Sequence, residues 1–267
     1  MENKKYKIEV CVDSVESCVE AIKGGADRLE LCSSLFLGGL TPCYGMMKIV
    51  RQVIPKDFPV FVMIRPRQGD FLYSEFELLI MKEDIKAAKE LGYQGVVLGV
   101  LDRFGNIDIP VLRDLVQLAT PMSVTFHRAF DMVSDCEKAL KDIISVSGPS
   151  SQIQRILTSG QESTVLEGLF NIKKLMVLAK ECGSSVIMVP GGGITERNLS
   201  RITQELDDYL SEFHISGRVP IDSQMQHRNT RVFMGGELRS SEYTLSIVDS
   251  KRISNFTNQI LSSSTTK

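Results

Sequence analysis

The chain lacks an excess of charge of either sign: its 267 residues carry 31 Lys and Arg against 33 Asp and Glu. A near-balanced surface supplies no field to hold a nucleic-acid backbone or an anionic bilayer, so neither nucleic acid nor membrane is expected as a partner. No apolar run approaches the roughly 20 residues of a membrane span. The opening MENKKYKIEV is polar and has no secretory apolar core, so no signal peptide is expected. The six cysteines are then expected as reduced thiols rather than as a disulfide framework. C-x-x-C pairs are absent, which argues against a structural zinc site. No G-x-G-x-x-G loop follows the first strand-like run, which argues against a dinucleotide-binding open sheet.

What is present is alternation. Short β-rich runs are expected at Lys7–Val12, Arg28–Cys32, Val60–Arg65, Gly95–Val100, Ser123–His127, Arg155–Thr158, Ser185–Val189 and Glu212–Ser216. Amphipathic helical stretches fall between them at Val15–Lys23, Gly45–Ile54, Glu75–Leu91, Pro110–Ala119, Cys136–Ser145, Val165–Cys182 and Glu196–Leu210. Asp13 with Glu16, Ser74 with Glu77 and Ser134 with Glu137 fit N-cap and N3 pairs, and Gly24, Gly92 and Gly183 fit helix ends. About eight strand-then-helix units predict an α/β fold, a single-domain TIM-type (β/α)8 barrel. Near-continuous apolar strands suit a parallel sheet covered by helices. The barrel is expected over residues 1–217. Residues 218–267 are expected as a C-terminal extension packed on it, irregular over Arg218–Thr244 and frayed in the final LSSSTTK.

One pattern occurs twice: Ile8-Glu9-Val10-Cys11, then Leu29-Glu30-Leu31-Cys32. Residues i and i+2 of a strand share a face. With the leucines outward against helices, Glu9, Cys11, Glu30 and Cys32 point into the barrel. Neighbouring strands lie about 4.8 Å apart, so the two thiols should come close near the C-terminal strand ends, where barrels of this type carry their function. Soft thiolates select Cu(I) or similar ions. Buried thiols equally serve as small hydrophobes, the reading given to Cys18, Cys136 and Cys182.

Other polar groups gather at strand ends. TFHRAFD places His127 inward with Arg128 and Asp131 at the rim. MIRPRQGDF delivers Arg65, EFHIS supplies His214, and PGGGIT places Gly191 and Gly192 in a turn expected to open a helix. Each has two readings. His127 is a satisfied core histidine or an acid–base group. The glycines serve a tight turn or cradle a phosphate. Arg65 clamps an anionic ligand or neutralises Glu9 and Glu30, which are costly to bury without a positive partner. A second functional class follows: a barrel enzyme acting on a small anionic, even phosphorylated, molecule. In it Glu9 or His127 acts as acid or base, and Arg65 and Arg128 bind the anion.

The motifs EVCVDSVES, GGADRLELC, GGLTP, VFVMIRPR, GDFLYS, VTFHRAFDM, RILTSG, MVPGGGIT and EFHIS, in this order, resemble the CutC copper homeostasis family. The similarity runs from about Ile8 to Ser216, and the weaker RNTRVFMGG and SSEYTLSIVDS resemble animal members. The resemblance implies a TIM-type barrel, cytoplasmic or also nuclear placement, and a homo-oligomer. It also implies a copper homeostasis role with one Cu(I) per subunit, and its copper ligands match Cys11 and Cys32. The family brings no settled reaction. Departures are Cys43, where serine is common, Gln68, where glycine is common, and HISGR. Cys43 would offer a third rim thiol.

Overall fold

A computed structural model describes residues 6–147, 152–235 and 241–264. Eight parallel strands run in the order β7-β6-β5-β4-β3-β2-β1-β8. They are β1 (Lys7–Val12), β2 (Arg28–Leu31), β3 (Val60–Met63), β4 (Gly95–Leu98), β5 (Ser123–Phe126), β6 (Ile153–Thr158), β7 (Ile187–Pro190) and β8 (Glu212–Ile215). A parallel bridge between Gly191 and His214 joins the two edges, so the sheet closes on itself as a TIM-type barrel. The closing contact leaves no room for a side chain: a Cβ on Gly191 would lie 2.5 Å from Leu157 Cδ1.

Helices α1 (Val15–Lys23), α2 (Tyr44–Val53), α3 (Glu75–Glu90), α4 (Ile109–Ala119), α5 (Cys136–Ser147), α6 (Val165–Glu181) and α7 (Leu199–Leu206) follow their strands. Their start signals are local. Ser74 with Glu77 forms a full capping box, as its spacing predicts, and Thr164 with Glu167 forms another. Two expected caps shift by one residue. Ser14, not Asp13, caps α1, and Asp13 instead pairs with Arg218 at 2.7 Å. Asp135, not Ser134, accepts the Glu137 and Lys138 amides of α5.

Side-chain parity divides the buried residues. Ile8, Val10, Val12, Leu29 and Leu31 face outward into the main core beneath the helices. Inside the barrel, Cys32, Phe61, Met63 and Val97 form a separate apolar cluster on the β2–β4 side. The rest of the interior, on β1, β2, β6 and β8, is charged: Glu9, Arg28, Glu30, Arg155 and Glu212 are all buried.

After β8 the chain is more regular than its composition suggests. β9 (Arg218–Asp222) and β10 (Thr244–Val248) form an antiparallel ribbon, replacing part of the irregular segment expected there. α8 (Ser250–Ser264), which sequence periodicity does not single out, then packs on α1. Its backbone continues through four residues of the expected frayed end, and residues 265–267 lie outside the described residues.

Candidate functional site

Parallel register sets Glu9 beside Arg28 on β2 and beside His214 on β8. A continuous ionic chain results. Arg155 Nε lies 2.7 Å from Glu212 Oε2, and Arg28 Nη2 reaches the same oxygen at 2.6 Å. Arg28 Nε donates to Glu9 Oε2, and His214 Nδ1 meets Glu9 Oε1 at 2.8 Å. His214 Nε2 lies 3.8 Å from Glu30 Oε2, which accepts from Cys32 Sγ at 3.4 Å. Both guanidiniums also sit over the Phe61 ring, 5.2 and 5.4 Å from its centroid.

The chain balances its own charge. Glu9, Glu30 and Glu212 oppose Arg28, Arg155 and a protonated His214. Burial works against ionisation of Glu9, but Arg28 and His214 outweigh it and hold the carboxyl well below the usual range. Glu212 is likewise held down, by Arg155 and Arg28 against burial. Burial also opposes a charged His214, yet Glu30 and Cys11 keep its proton well above the ordinary histidine range. Glu30 differs: burial, helped by the Glu9 charge, pushes its carboxyl up.

Arg65 does not neutralise these carboxylates. Its guanidinium donates to the carbonyls of Leu37, Gly39 and Gly69 at 3.0–3.2 Å and stacks on Phe71. Arg28 and Arg155 do that work, and the same two-residue spacing that selects Glu30 selects Arg28. Glu212, two residues before His214, was legible in the same way.

The two singled-out thiols reach the same corner. Cys11 pairs in register with Glu30, and its Sγ lies 3.5 Å from the Ile215 carbonyl. Cys32 is fully buried; burial and then Glu30 raise its thiol well above the ordinary cysteine range. Among the described residues, Glu9, Glu30 and His214 offer donor atoms within 4.8 Å of one another, a grouping able to hold a metal ion, and neither thiol belongs to it. Cys43 caps α2, is exposed and does not line the cavity described next. Cys18 is buried as expected, whereas Cys182 is exposed, since α6 ends before it.

At the C-terminal mouth lies a cavity of about 390 Å³. Cys11, Glu30, Arg65, His127, Arg128, Gly191, Gly192 and His214 all line it, and Arg252 from α8 joins them. Glu9, Cys32 and Asp131 do not. Asp131 is consumed by the β6–α6 loop: it accepts from Thr158 Oγ1, from Ser159 N and Oγ, and from Gln161 N, and pairs with Arg128 Nε at 2.7 Å. The glycine turn does not open a helix, because α7 begins only at Leu199. His127 is neutral: burial and the Arg65 charge lower its pKa to about 3.

The CutC family model matches residues 6–218. The chain belongs to the CutC family. A copper homeostasis protein cutC homolog of Dictyostelium discoideum is 49% identical over 97% of this chain and 99% of its own length. The cutC homolog of Homo sapiens is 48% identical over 93% of this chain and 86% of its own. The crystal structure of CutC from Streptococcus agalactiae superposes with a TM-score of 0.71 at 32% identity, covering 79% of this chain and 98% of that one. β10 and α8 follow the region matched by the CutC family model, and α8 brings Arg252 to the cavity of the CutC barrel.

Proposed function

We propose that this protein acts in copper homeostasis by holding one Cu(I) between Cys11 and Cys32. The observation that carries this reading is that two buried thiols reach one corner of the barrel: Cys32 Sγ donates to Glu30 beside His214, and Cys11 lies in register with Glu30 on the neighbouring strand. Thiolates suit a soft monovalent ion better than any other donor in the barrel. The fit has a cost. Cys32 must give up a proton that burial and Glu30 hold firmly. The neighbouring glutamates add little attraction of their own, because Arg28, Arg155 and His214 already balance them. Binding therefore releases protons and weakens as pH falls.

A competition titration against a Cu(I) chelator tests the reading. Cys11→Ser and Cys32→Ser should each weaken binding by orders of magnitude, whereas Cys18→Ser and Cys182→Ser should leave it unchanged. A folded Cys11→Ser/Cys32→Ser protein with wild-type affinity would remove the site. The same reading carries a homo-oligomer placed in the cytoplasm or the nucleus; light scattering that gives a monomer, or fractionation into another compartment, would count against that part.

A further inference from the structure

The cavity at the barrel mouth holds more hydrogen-bonding capacity than the protein uses. Among the described residues, six buried side-chain atoms lack a hydrogen-bond partner. Three of them, Glu30 Oε1, Arg65 Nε and His127 Nε2, belong to residues that line this one cavity. These residues are only 3, 6 and 3% exposed. A buried polar group left unpaired is destabilising, because it gives up its hydrogen bonds to water and gains none. Three such groups, one on β2 and two just past the ends of β3 and β5, mark a place where a polar guest completes the bonding.

Two further features give that guest a chemistry. His127 Nδ1 accepts the Ala129 amide at 3.2 Å, which fixes the proton of the neutral ring on Nε2. The Nδ1 side is wedged against the residue that follows β4, where a Cβ on Gly99 would lie 2.5 Å from it. The Nε2–H is left as a donor without an acceptor among the described residues. The same cavity is lined by the glycine turn, with φ of +117° at Gly192 and +70° at Gly193. The carbonyls of both glycines are engaged, Gly192 by the Val165 amide and Gly193 by Asn198. Their own amides find no partner among the described residues, which makes a pair of N–H groups suited to an anion. Arg128 lies against this turn, its Nη1 being 3.4 Å from the position of a Gly192 Cβ. Its Nε and Nη2 are held by Asp131 and Ser159, and Nη1 is left over.

We infer that the cavity binds a small phosphomonoester. The phosphate sits against the Gly192 and Gly193 amides and Arg128 Nη1, and the carbon skeleton enters the barrel, where its polar substituents meet His127 Nε2–H and Glu30 Oε1. A phosphate offers three oxygens to these three donors, one more than a carboxylate. The volume falls within the range of small-molecule sites. This inference does not rest on the copper reading, since neither thiol supplies a binding group.

The test uses glycerol phosphate, inorganic phosphate and glycerol as probes, followed by amide NMR on the full chain. Glycerol phosphate should bind saturably and shift the Gly192 and Gly193 amides. Inorganic phosphate should bind there more weakly, and glycerol should not bind at concentrations up to ~10 mM. Arg128→Gln should weaken both phosphate probes by about tenfold or more. His127→Asn keeps the acceptor for Ala129 but loses the Nε2 donor. It should weaken the ester by about tenfold while leaving inorganic phosphate unchanged. An excess of a Cu(I) chelator should leave the binding of glycerol phosphate to the wild-type protein unchanged. Absence of a saturable shift at Gly192 and Gly193 overturns the proposal, as does equal binding of glycerol, or binding that a Cu(I) chelator abolishes. If Arg128→Gln does not fold, the location of the shifts in the wild-type chain decides alone.

Discussion

Arg28 and Glu9 face each other across β1 and β2 inside the barrel, and each side chain is at most 5% exposed. Arg28 also serves Glu212, so one guanidinium holds two buried carboxylates. Arg28→Met keeps the length and removes the charge, leaving Glu9 with His214 alone and Glu212 with Arg155 alone. Breaking a buried pair from one side costs about 3–5 kcal/mol, because the remaining charge stays buried. Urea unfolding of Arg28→Met should show a loss of that size. A variant within about 0.5 kcal/mol of wild type, the spread of neutral surface changes, would mean that Glu9 and Glu212 are satisfied without it.

The six thiols should react in a fixed order. Cys43 and Cys182 are exposed, Cys136 is half-buried, and Cys11, Cys18 and Cys32 are buried. Reactivity follows the thiolate. Burial pushes Cys18 up to about 12, and burial with Glu30 pushes Cys32 well above its ordinary value. In the native protein at mildly alkaline pH, a disulfide reagent should modify Cys43 and Cys182 first and Cys18 and Cys32 last. All six should react in denaturant. Native Cys32 reacting as fast as Cys43 would contradict the packing around Glu30.

The docking of α8 rests on a glycine. A Cβ on Gly24 would lie 2.5 Å from Ile253 Cβ and 2.7 Å from the Ser250 carbonyl. Gly24 has φ of −74°, which any residue adopts, so the cost of Gly24→Ala reports crowding and not backbone strain. It should destabilise by about 1–3 kcal/mol. Of these close atoms Ile253→Ala removes only Cγ2, 2.9 Å from the same point, and keeps the Cβ and the Ser250 carbonyl, so Gly24→Ala should remain destabilising in that background. A Gly24→Ala protein as stable as wild type in thermal or urea unfolding would show that α8 does not sit on Gly24.

The strands were legible in the sequence because each is short, apolar and bounded by a helix signal, and the inward faces of β1 and β2 followed from a period of two. The ionic chain was half legible. Glu9, Glu30 and His214 stood out, but Arg28 and Arg155 sit at or near strand starts, where a charged residue reads as a boundary. Nothing in one strand tells that its arginine will meet a glutamate from β8; only barrel closure does. One of the two readings of Arg65, that it neutralises Glu9 and Glu30, fails for a related reason: loop carbonyls at Leu37, Gly39 and Gly69 capture it, and loop paths carry no period. α8 went unseen because SKRISNFTNQILSSS is rich in serine, threonine and asparagine, and its apolar stripe of Ile253, Phe256 and Ile260 is sparse.

His127 gives the barrel a dependence on acid. Its ring is enclosed by Phe71, with centroids 5.0 Å apart, and by Phe126 at 6.1 Å. Burial first, then the Arg65 charge, lowers its pKa from 6.5 to about 3. Between those values the unfolded chain binds a proton that the folded chain refuses. Stability therefore falls as pH drops below about 6.5, and the fall continues until about pH 3. At pH 5 the loss from this residue amounts to about 2 kcal/mol relative to neutral pH. His127→Asn retains the acceptor for the Ala129 amide and cannot titrate. Urea unfolding at about pH 7.5 and pH 5 should show wild type losing about 2 kcal/mol more than the variant. The lowered carboxylates Glu9 and Glu212 stay ionised over this window and contribute equally to both proteins. Parallel profiles would mean that His127 accepts a proton in the folded state, and its Nε2 would then be unable to act as the neutral donor that faces the cavity.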